Sequence, residues 1–180
     1  MDIPATPAQI NTRAAAVDLM IFDVDGILTD GTLYYSADGE VIKAFNVLDG
    51  HGLKLLQAAG VAAAIISARE SAILARRCSD LGIRHLYQGV QDKRQAFEQL
   101  LEKTGLSAAQ CGFIGDDVVD LPILSRVGFA ASVPGGHVEV RMRAHYVTQA
   151  AGGHGAAREI CDLLLRARGC YAAALAPYLA

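Results

Sequence analysis

Four short polar segments of this sequence carry side chains that could do chemistry, and each follows an apolar stretch. They are residues 23–25 (Asp-Val-Asp), residues 67–69 (Ser-Ala-Arg), Lys93, and residues 115–117 (Gly-Asp-Asp). Together they supply four carboxylates, one hydroxyl and two cationic groups. Carboxylates that crowd together repel one another and raise one another's pKa unless a cation neutralises them.

A cluster of hard oxygen atoms suits Mg²⁺, which keeps several waters and binds phosphate oxygens. A nearby hydroxyl and lysine suit an anionic phosphoryl group, and a carboxylate could attack its phosphorus. These residues therefore predict a magnesium-dependent phosphoryl-transfer site. Alternatively, an acidic residue can serve only to cap a helix or form a turn. This role suits Asp30, Asp38 and Asp120. It suits Asp23 poorly, because an unpaired carboxylate at the end of a buried strand would cost several kcal/mol.

The spacing of apolar residues predicts the elements that must bring these segments together. Short apolar runs predict strands, and amphipathic stretches that end at glycine predict helices. The predicted strands cover residues 17–23, 61–66, 84–87, 111–115, 128–132 and 146–148, and the predicted helices cover residues 50–59, 70–81, 92–103, 118–125, 137–143 and 156–166. This alternation predicts an α/β fold with a three-layer, doubly wound parallel sheet, in which ligands bind beyond the carboxyl ends of the strands. An Asp-Gly pair between two apolar runs also predicts a β-hairpin after the first strand.

Length and composition favour one globular domain. The 180 residues are 52% hydrophobic and 19% charged, so the chain can bury enough apolar surface to fold. The net charge is −3, and no basic tract suggests a nucleic-acid partner. No apolar run approaches the ~20 residues that a membrane span needs. We expect an N-terminal arm at residues 1–16, one domain at residues 17–168 and a tail at residues 169–180.

The N-terminus lacks the basic and apolar regions of a signal peptide, and the four cysteines include no C-x-x-C pair. Buried thiols in a cytoplasmic protein are therefore expected, rather than a zinc site or a disulfide framework.

The ordered set of motifs, each at a predicted strand end or just before a helix, resembles the haloacid dehalogenase superfamily of phosphohydrolases. The resemblance runs from about residue 17 to residue 166. It implies the following roles: Asp23 as the nucleophile and a Mg²⁺ ligand, Asp25 as the general acid and base with a metal-binding backbone carbonyl, Ser67 and Lys93 as partners of the phosphoryl group, Asp116 as a Mg²⁺ ligand, and Asp117 as a support for the metal or its waters.

The chain leaves no room for the cap domain that many members carry, since only a hairpin, a helix and a strand separate Asp30 from Ser67. It resembles the capless sugar-phosphate phosphatases, whose hairpins assemble a homotetramer in which neighbouring subunits act as a lid. Within them it is most similar to the 3-deoxy-D-manno-octulosonate 8-phosphate (KDO 8-phosphate) phosphatase family, which serves lipopolysaccharide precursor synthesis. The matching stretches are residues 23–31, 45–52, 71–77, 115–122 and 152–159.

The implied substrate is a sugar phosphate that also carries a carboxylate. Arginine binds carboxylates bidentately, so Arg69 and Arg77 are the expected partners of that group. Lys54, one turn into the predicted helix, could also face the ligand. The resemblance adds a segment that would supply polar and backbone contacts, namely Asn46, Val47, Leu48, Asp49 and Gly50. Family members commonly have glycine at position 68 and often arginine at position 48, so Ala68 and Leu48 are departures that concern affinity more than chemistry.

Three other functions stay open at this point. The same chemistry could act on another acid sugar such as a nonulosonate 9-phosphate, although the resembled enzymes of that type tend to carry an acid at the position of Arg69. A phospho-accepting receiver domain uses similar residues, but on different strands. A catalytically dead scaffold is disfavoured by the intact acidic residues. Residues 152–155 (Gly-Gly-His-Gly) could form a flexible turn, or a loop that lines the crevice or contacts a neighbouring subunit.

Overall fold

A computed structural model describes residues 5–179 of the chain. Its eight strands are β1 (Leu19–Phe22), β2 (Tyr34–Ser36), β3 (Gly39–Ile42), β4 (Ala62–Ile66), β5 (His85–Tyr87), β6 (Cys111–Ile114), β7 (Phe129–Ser132) and β8 (Tyr146–Val147). Six of them form one sheet in the order β5-β4-β1-β6-β7-β8, and all neighbours in it are parallel. Counted within this sheet the order is 3-2-1-4-5-6, which is the doubly wound arrangement. The predicted fold class is confirmed.

Helices cover both faces of the sheet. They are α1 (Pro7–Ala15), α2 (Val47–Ala58), α3 (Ala72–Leu81), α4 (Lys93–Thr104), α5 (Leu121–Leu124), α6 (Val138–Arg143), α7 (Ala156–Ala167) and α8 (Tyr171–Leu175). Successive side chains of a strand point to opposite faces. Met20 and Phe22 accordingly pack in the core with α1, α2, α3 and α7, while Leu19 and Ile21 pack with α4, α5 and α6.

Most element boundaries lie within two residues of those predicted, because the local signals are strong. Ser71 caps α3 and Asp92 caps α4, and glycines in the left-handed conformation end both helices. The exceptions are α2, which begins at Val47, three residues before the predicted start, and α5, which begins three residues after it because a 3₁₀ turn precedes it. The side chain of Asn46 accepts a hydrogen bond from the Leu48 amide at 2.7 Å and so starts α2 early.

The strand order creates a crevice between the carboxyl ends of β1 and β6. These two strands are neighbours, but the chain leaves β1 toward β4 on one side and reaches β6, on the other side, only after returning from the edge strand β5. Asp23 directly follows β1, and Gly115 and Asp116 directly follow β6. The strand order also rules out the receiver alternative, whose sheet runs 2-1-3-4-5 and places the first strand beside the third.

The predicted hairpin is present as a separate two-stranded sheet of β2 and β3. It exposes several large apolar side chains, namely Leu33, Tyr34, Tyr35, Val41 and Ile42. A lone hairpin is only marginally stable in water. Its position on the domain therefore depends on contacts outside its own strands.

The glycine-rich loop before α7 packs against the loop that follows β1. The Gly153 amide donates a hydrogen bond to the Ile27 carbonyl at 2.9 Å. A Cβ atom at Gly152 would clash with the carbonyl of Gly26. This close backbone approach agrees with a loop that lines the crevice and not with a flexible turn.

Both ends of the described chain fold onto the domain. Helix α1 buries Ala14 in the core, and the guanidinium of Arg166 lies 3.6 Å from the ring centroid of Tyr171 in the tail. The ring of Tyr178 contacts that of His51 at 5.4 Å between centroids. The predicted arm begins with residues 1–4, which lie outside the described residues, as does residue 180 of the tail. Within the described part of the chain, no helix is long and apolar enough to cross a membrane.

The loop contact at Gly152 gives a stability prediction. Gly152→Ala should lower the free energy of unfolding by about 1–3 kcal/mol, because the new methyl group meets a backbone carbonyl that cannot rotate away. Gly135→Ala is the matched control, since no atom lies within 4 Å of a Cβ at that position. Urea denaturation measures both, and equal stabilities of the two variants would contradict the packing described.

Candidate active site

Three carboxylates meet at the crevice between β1 and β6. One oxygen each from Asp23, Asp116 and Asp120 lies within 4.8 Å of the others. Asp23 and Asp120 are buried, and Asp116 is partly buried. The sequence brings them together because Asp23 follows β1, Asp116 follows β6, and Asp120 is one turn beyond Asp116.

Lys93 joins the carboxylates from the first turn of α4. Its Nζ donates to Asp23 Oδ1 at 2.6 Å and to Asp120 Oδ1 at 2.6 Å. Burial lowers the pKa of Lys93, but the two carboxylates outweigh burial, so the pKa is raised and the ammonium stays charged. Lys93 therefore contacts the Asp23 carboxylate directly.

The sequence predicts Asp120 as a turn former. Asp120 also makes a second contact, which the sequence did not predict. Its Oδ2 accepts hydrogen bonds from the Asp116 and Asp117 amides at 2.9 and 3.1 Å, as a turn former would. Its Oδ1 holds Lys93. The spacing of four residues from Asp116 was the available signal. Asp117, in contrast, is exposed and accepts from the Val118 amide at 2.7 Å, so its side chain caps a turn and is not in the cluster.

Crowding and burial shift the carboxylate pKa values. Burial raises the pKa of Asp23 to about 7, with repulsion from Asp120 adding to burial and attraction by Lys93 opposing it. Burial, then repulsion from Asp120 and Asp117, raises the pKa of Asp116 to about 6. The two carboxyl groups therefore bind protons at higher pH than an ordinary aspartate does when no cation is bound.

Asp25, Ser67 and Arg69 lie together at the same edge of the sheet. Arg69 Nε is 3.4 Å from Asp25 Oδ2, and the Ser67 hydroxyl accepts from the Arg69 amide at 3.3 Å. Sequence reasoning missed Lys43, whose Nζ lies 2.5 Å from Asp25 Oδ1. Lys43 comes directly after the hairpin, so nothing local in the sequence marks it as a neighbour of Asp25.

The expected substrate segment at residues 46–50 forms the first turn of α2, not a loop. Val47 and Leu48 are exposed, and Asn46 Nδ2 donates to the Gly153 carbonyl at 3.3 Å. Asp49 is buried and accepts from the Arg158 and Gly155 amides at 2.7 and 3.3 Å. The Asp49 carboxylate therefore caps the start of α7, and a substrate contact from residues 46–50 stays a prediction.

Two cationic residues expected at the substrate make other contacts within this chain. Arg77 lies 5.7 Å from the Phe45 ring centroid, and its Nη2 lies 3.5 Å from the Asn46 carbonyl, so it supports the start of α2. Lys54 is exposed and lines a cleft with Ala62 at the amino edge of the sheet. A helix advances about 1.5 Å per residue, which carries Lys54 away from the carboxyl edge.

Comparison with known proteins gives a consistent result. Residues 79–160 match the haloacid dehalogenase-like hydrolases. The 3-deoxy-D-manno-octulosonate 8-phosphate phosphatase of Salmonella typhimurium is 44% identical over 92% of this chain and 88% of that protein. This chain belongs to the KDO 8-phosphate phosphatase family.

Solved structures of the KDO 8-phosphate phosphatase family share the fold. The Moraxella catarrhalis enzyme, solved with magnesium, phosphate and KDO, is 41% identical, with a TM-score of 0.93 over 96% of this chain and 99% of that one. The cobalt-bound enzyme of Haemophilus influenzae is 41% identical, with a TM-score of 0.86 over 88% of this chain and 93% of that one.

The donor set of this chain fits a divalent cation. The backbone at Gly26 has φ +91°, and a Cβ there would clash with the Asp116 carboxylate, so this loop and that side chain are in close contact. Both oxygens of Asp120 already accept hydrogen bonds. Asp23 and Asp116 therefore hold the oxygens that a hard cation such as Mg²⁺ would take.

Protonation should compete with Mg²⁺ at this KDO 8-phosphate phosphatase site. Since the pKa values of Asp23 and Asp116 are about 7 and about 6, lowering the pH from 8 to 6 should weaken Mg²⁺ binding about 20-fold. The raised pKa values also mean that the metal-free protein loses stability as pH rises from about 4 to 7. Isothermal titration measures the affinity, and thermal unfolding should show a larger Mg²⁺ gain at pH 8 than at pH 6. Equal affinity at both pH values would contradict this electrostatic account.

Proposed function

We propose that this chain is a Mg²⁺-dependent phosphatase that hydrolyses KDO 8-phosphate to KDO and phosphate through an aspartyl-phosphate on Asp23. The observation that carries the proposal is the Lys93 bridge between Asp23 and Asp120 beside Asp116, at the crevice where β1 and β6 diverge. Family membership and the KDO-bound Moraxella structure support this substrate over a nonulosonate phosphate.

In the first half of the reaction, a carboxylate oxygen of Asp23 forms a bond to phosphorus as the bond to the sugar oxygen breaks. Asp25 donates a proton to that oxygen, so the sugar leaves as an alcohol. Lys93 holds Asp23 Oδ1 at 2.6 Å and thereby fixes the direction in which the nucleophile points. The buried Ser67 hydroxyl follows β4 next to β1 and is placed to donate to a phosphoryl oxygen.

In the second half, a water oxygen bonds to phosphorus while its proton passes to Asp25. The bond between phosphorus and Asp23 breaks, which releases phosphate and restores both carboxyl groups. A bound Mg²⁺ supplies charge neutralisation between the carboxylates and the phosphoryl oxygens. The side chains of Asp23 and Asp116 and the backbone carbonyl of Asp25 would hold it, and Asp117 would support its waters.

Arg69 is the residue best placed to recognise the sugar carboxylate. Its side chain is 36% exposed at the mouth of the crevice, 3.4 Å from Asp25. Its guanidinium also hydrogen-bonds the Tyr35 hydroxyl of the hairpin, which orients it. The neighbouring Ala68 fits the loop because its φ angle is not positive. Within residues 5–179, positive φ angles occur only at glycines.

The exposed hairpin supports assembly into a homotetramer in which neighbouring subunits close the site. Its apolar side chains have no cover within the described chain, and Val47 and Leu48 at the start of α2 extend the apolar surface. Apolar surface of this extent marks an association site. In such an assembly, the residues at the start of α2 and Arg77 would reach the substrate of a neighbour.

The proposal also includes a cytoplasmic location and the limits of the phosphatase domain. All four cysteines are free, and Cys78, Cys111 and Cys161 are buried, as suits the reducing cytoplasm. Residues 17–168 would form the phosphatase domain, with α1 and the tail folded against it.

Asp23→Asn should abolish phosphate release from KDO 8-phosphate, with kcat falling by roughly three orders of magnitude or more, because an amide cannot form the acyl phosphate. A malachite-green assay with and without EDTA measures it, and wild-type activity should require Mg²⁺. Asp80→Asn is the control, since Asp80 makes only a surface ion pair with Arg76.

The same assay separates the alternatives. Full activity of Asp23→Asn would exclude the aspartyl-phosphate route. If a nonulosonate 9-phosphate is turned over faster than KDO 8-phosphate, the assigned substrate is wrong and the nonulosonate phosphate takes its place. Equal turnover of all small phosphates would show that the enzyme does not select KDO 8-phosphate.

The assembly is tested by light scattering after size exclusion. Wild type should run at four times the chain mass, and Ile42→Lys should give smaller species, because a charge would be buried between hairpins. Met142→Lys is the matched control, since Met142 on α6 is equally exposed at 59%. A monomeric wild type, or an unchanged Ile42→Lys assembly, would refute the role of the hairpin.

A further inference from the structure

Lys43 is a buried lysine that none of the roles above uses. Its side chain is only 4% exposed, although it follows the exposed hairpin strand β3. Its Nζ lies 2.5 Å from Asp25 Oδ1 and 3.2 Å from Glu40 Oε1. A buried ammonium is costly unless it is paired, and here two carboxylates pair it.

The neighbours of Lys43 make a closed group of charges. Glu40 accepts a hydrogen bond from the Ser71 hydroxyl at the start of α3. Arg69 Nε lies 3.4 Å from the other oxygen of Asp25, Oδ2. Two cations therefore face two carboxylates, and the group ties the hairpin to the loop after β4.

The two oxygens of Asp25 are consequently not equivalent. Lys43 donates to Oδ1 and keeps it engaged. Oδ2 faces Arg69, whose buried Nε has no hydrogen-bond partner within residues 5–179. Oδ2 is thus the oxygen left to exchange a proton with a bound substrate or water. Lys43 itself is too buried to touch a ligand in the crevice.

We propose that Lys43 is a positioning residue for proton transfer: it holds Asp25 Oδ1 so that Oδ2 meets the leaving oxygen and later the attacking water. The proposal rests on the proposed phosphatase function. General acid catalysis depends on hydrogen-bond geometry first, so a carboxyl group free to rotate is a poorer donor. The hairpin thereby supplies an internal support for the acid in a chain without a cap domain.

The test compares two leaving groups. An alcohol leaves only when it is protonated, whereas p-nitrophenolate leaves without a proton. For Lys43→Met, kcat/KM for KDO 8-phosphate should fall about 100-fold, and kcat/KM for p-nitrophenyl phosphate should change less than about threefold. The value of kcat/KM reports the steps up to formation of the aspartyl-phosphate. Comparing it between the two substrates therefore isolates the effect of proton donation to the leaving group. Lys43→Arg, which keeps a cationic donor, should restore the KDO 8-phosphate value to within about tenfold of wild type.

Several controls keep the outcome decisive. Lys103→Met, an exposed lysine on α4, should leave both values unchanged. If thermal unfolding shows that Lys43→Met does not fold, the double variant Lys43→Met with Glu40→Gln replaces it in the test. The second substitution removes the excess buried negative charge. Equal losses on the two substrates, or no loss on either, would overturn the positioning role. A wild type inactive on both substrates would instead refute the proposed function itself.

Discussion

The site depends on one buried ammonium. Lys93 reaches from α4 between two carboxylates that belong to different strand ends, Asp23 after β1 and Asp120 in the turn after β6. Without a cation at that point, these acids could not stay ionised together in a space closed to water. Because Asp120 also accepts from the amides of the turn that carries Asp116, the same ammonium indirectly sets the position of Asp116. The Lys93 side chain therefore both balances the charge of the site and fixes the positions of its acidic residues.

Close backbone packing supports this arrangement from the other side. The loop after β1 leaves no room for a Cβ at Gly26 where Asp116 approaches, and none at Gly152 where the glycine-rich loop meets the Gly26 carbonyl. The contact at Gly152 joins two backbone segments and cannot adjust by a change of rotamer, whereas Asp116 meets Gly26 through its side chain. Asp23 is thus held by its salt bridge with Lys93, while the loop that follows it is packed against the glycine-rich loop.

The fold and the central site could be predicted from the sequence because their signals are local. Buried strands read as apolar runs, helices carry caps and terminal glycines, and acids at strand ends converge once the sheet is parallel. Asp120, Lys43 and the cap on α7 could not be predicted in the same way. Their partners lie far away along the chain, such as Arg158 for Asp49, and residue type does not distinguish a substrate contact from a cap. Helical spacing likewise predicts the face of a helix on which Arg77 and Lys54 lie, but not which contacts their side chains make.

The contact between Asp49 and the start of α7 has a consequence for how the protein is made. The glycine-rich loop that packs against residues 26–30 precedes α7, and α7 is anchored to α2 through that carboxylate. Domains generally fold as units. The acidic residues emerge in the first two thirds of synthesis, but the loop that packs against residues 26–30 and the helix after it arrive only when residues 152–167 have been added. A nascent chain on the ribosome therefore contains the acidic residues for some time before it can complete the packing around them.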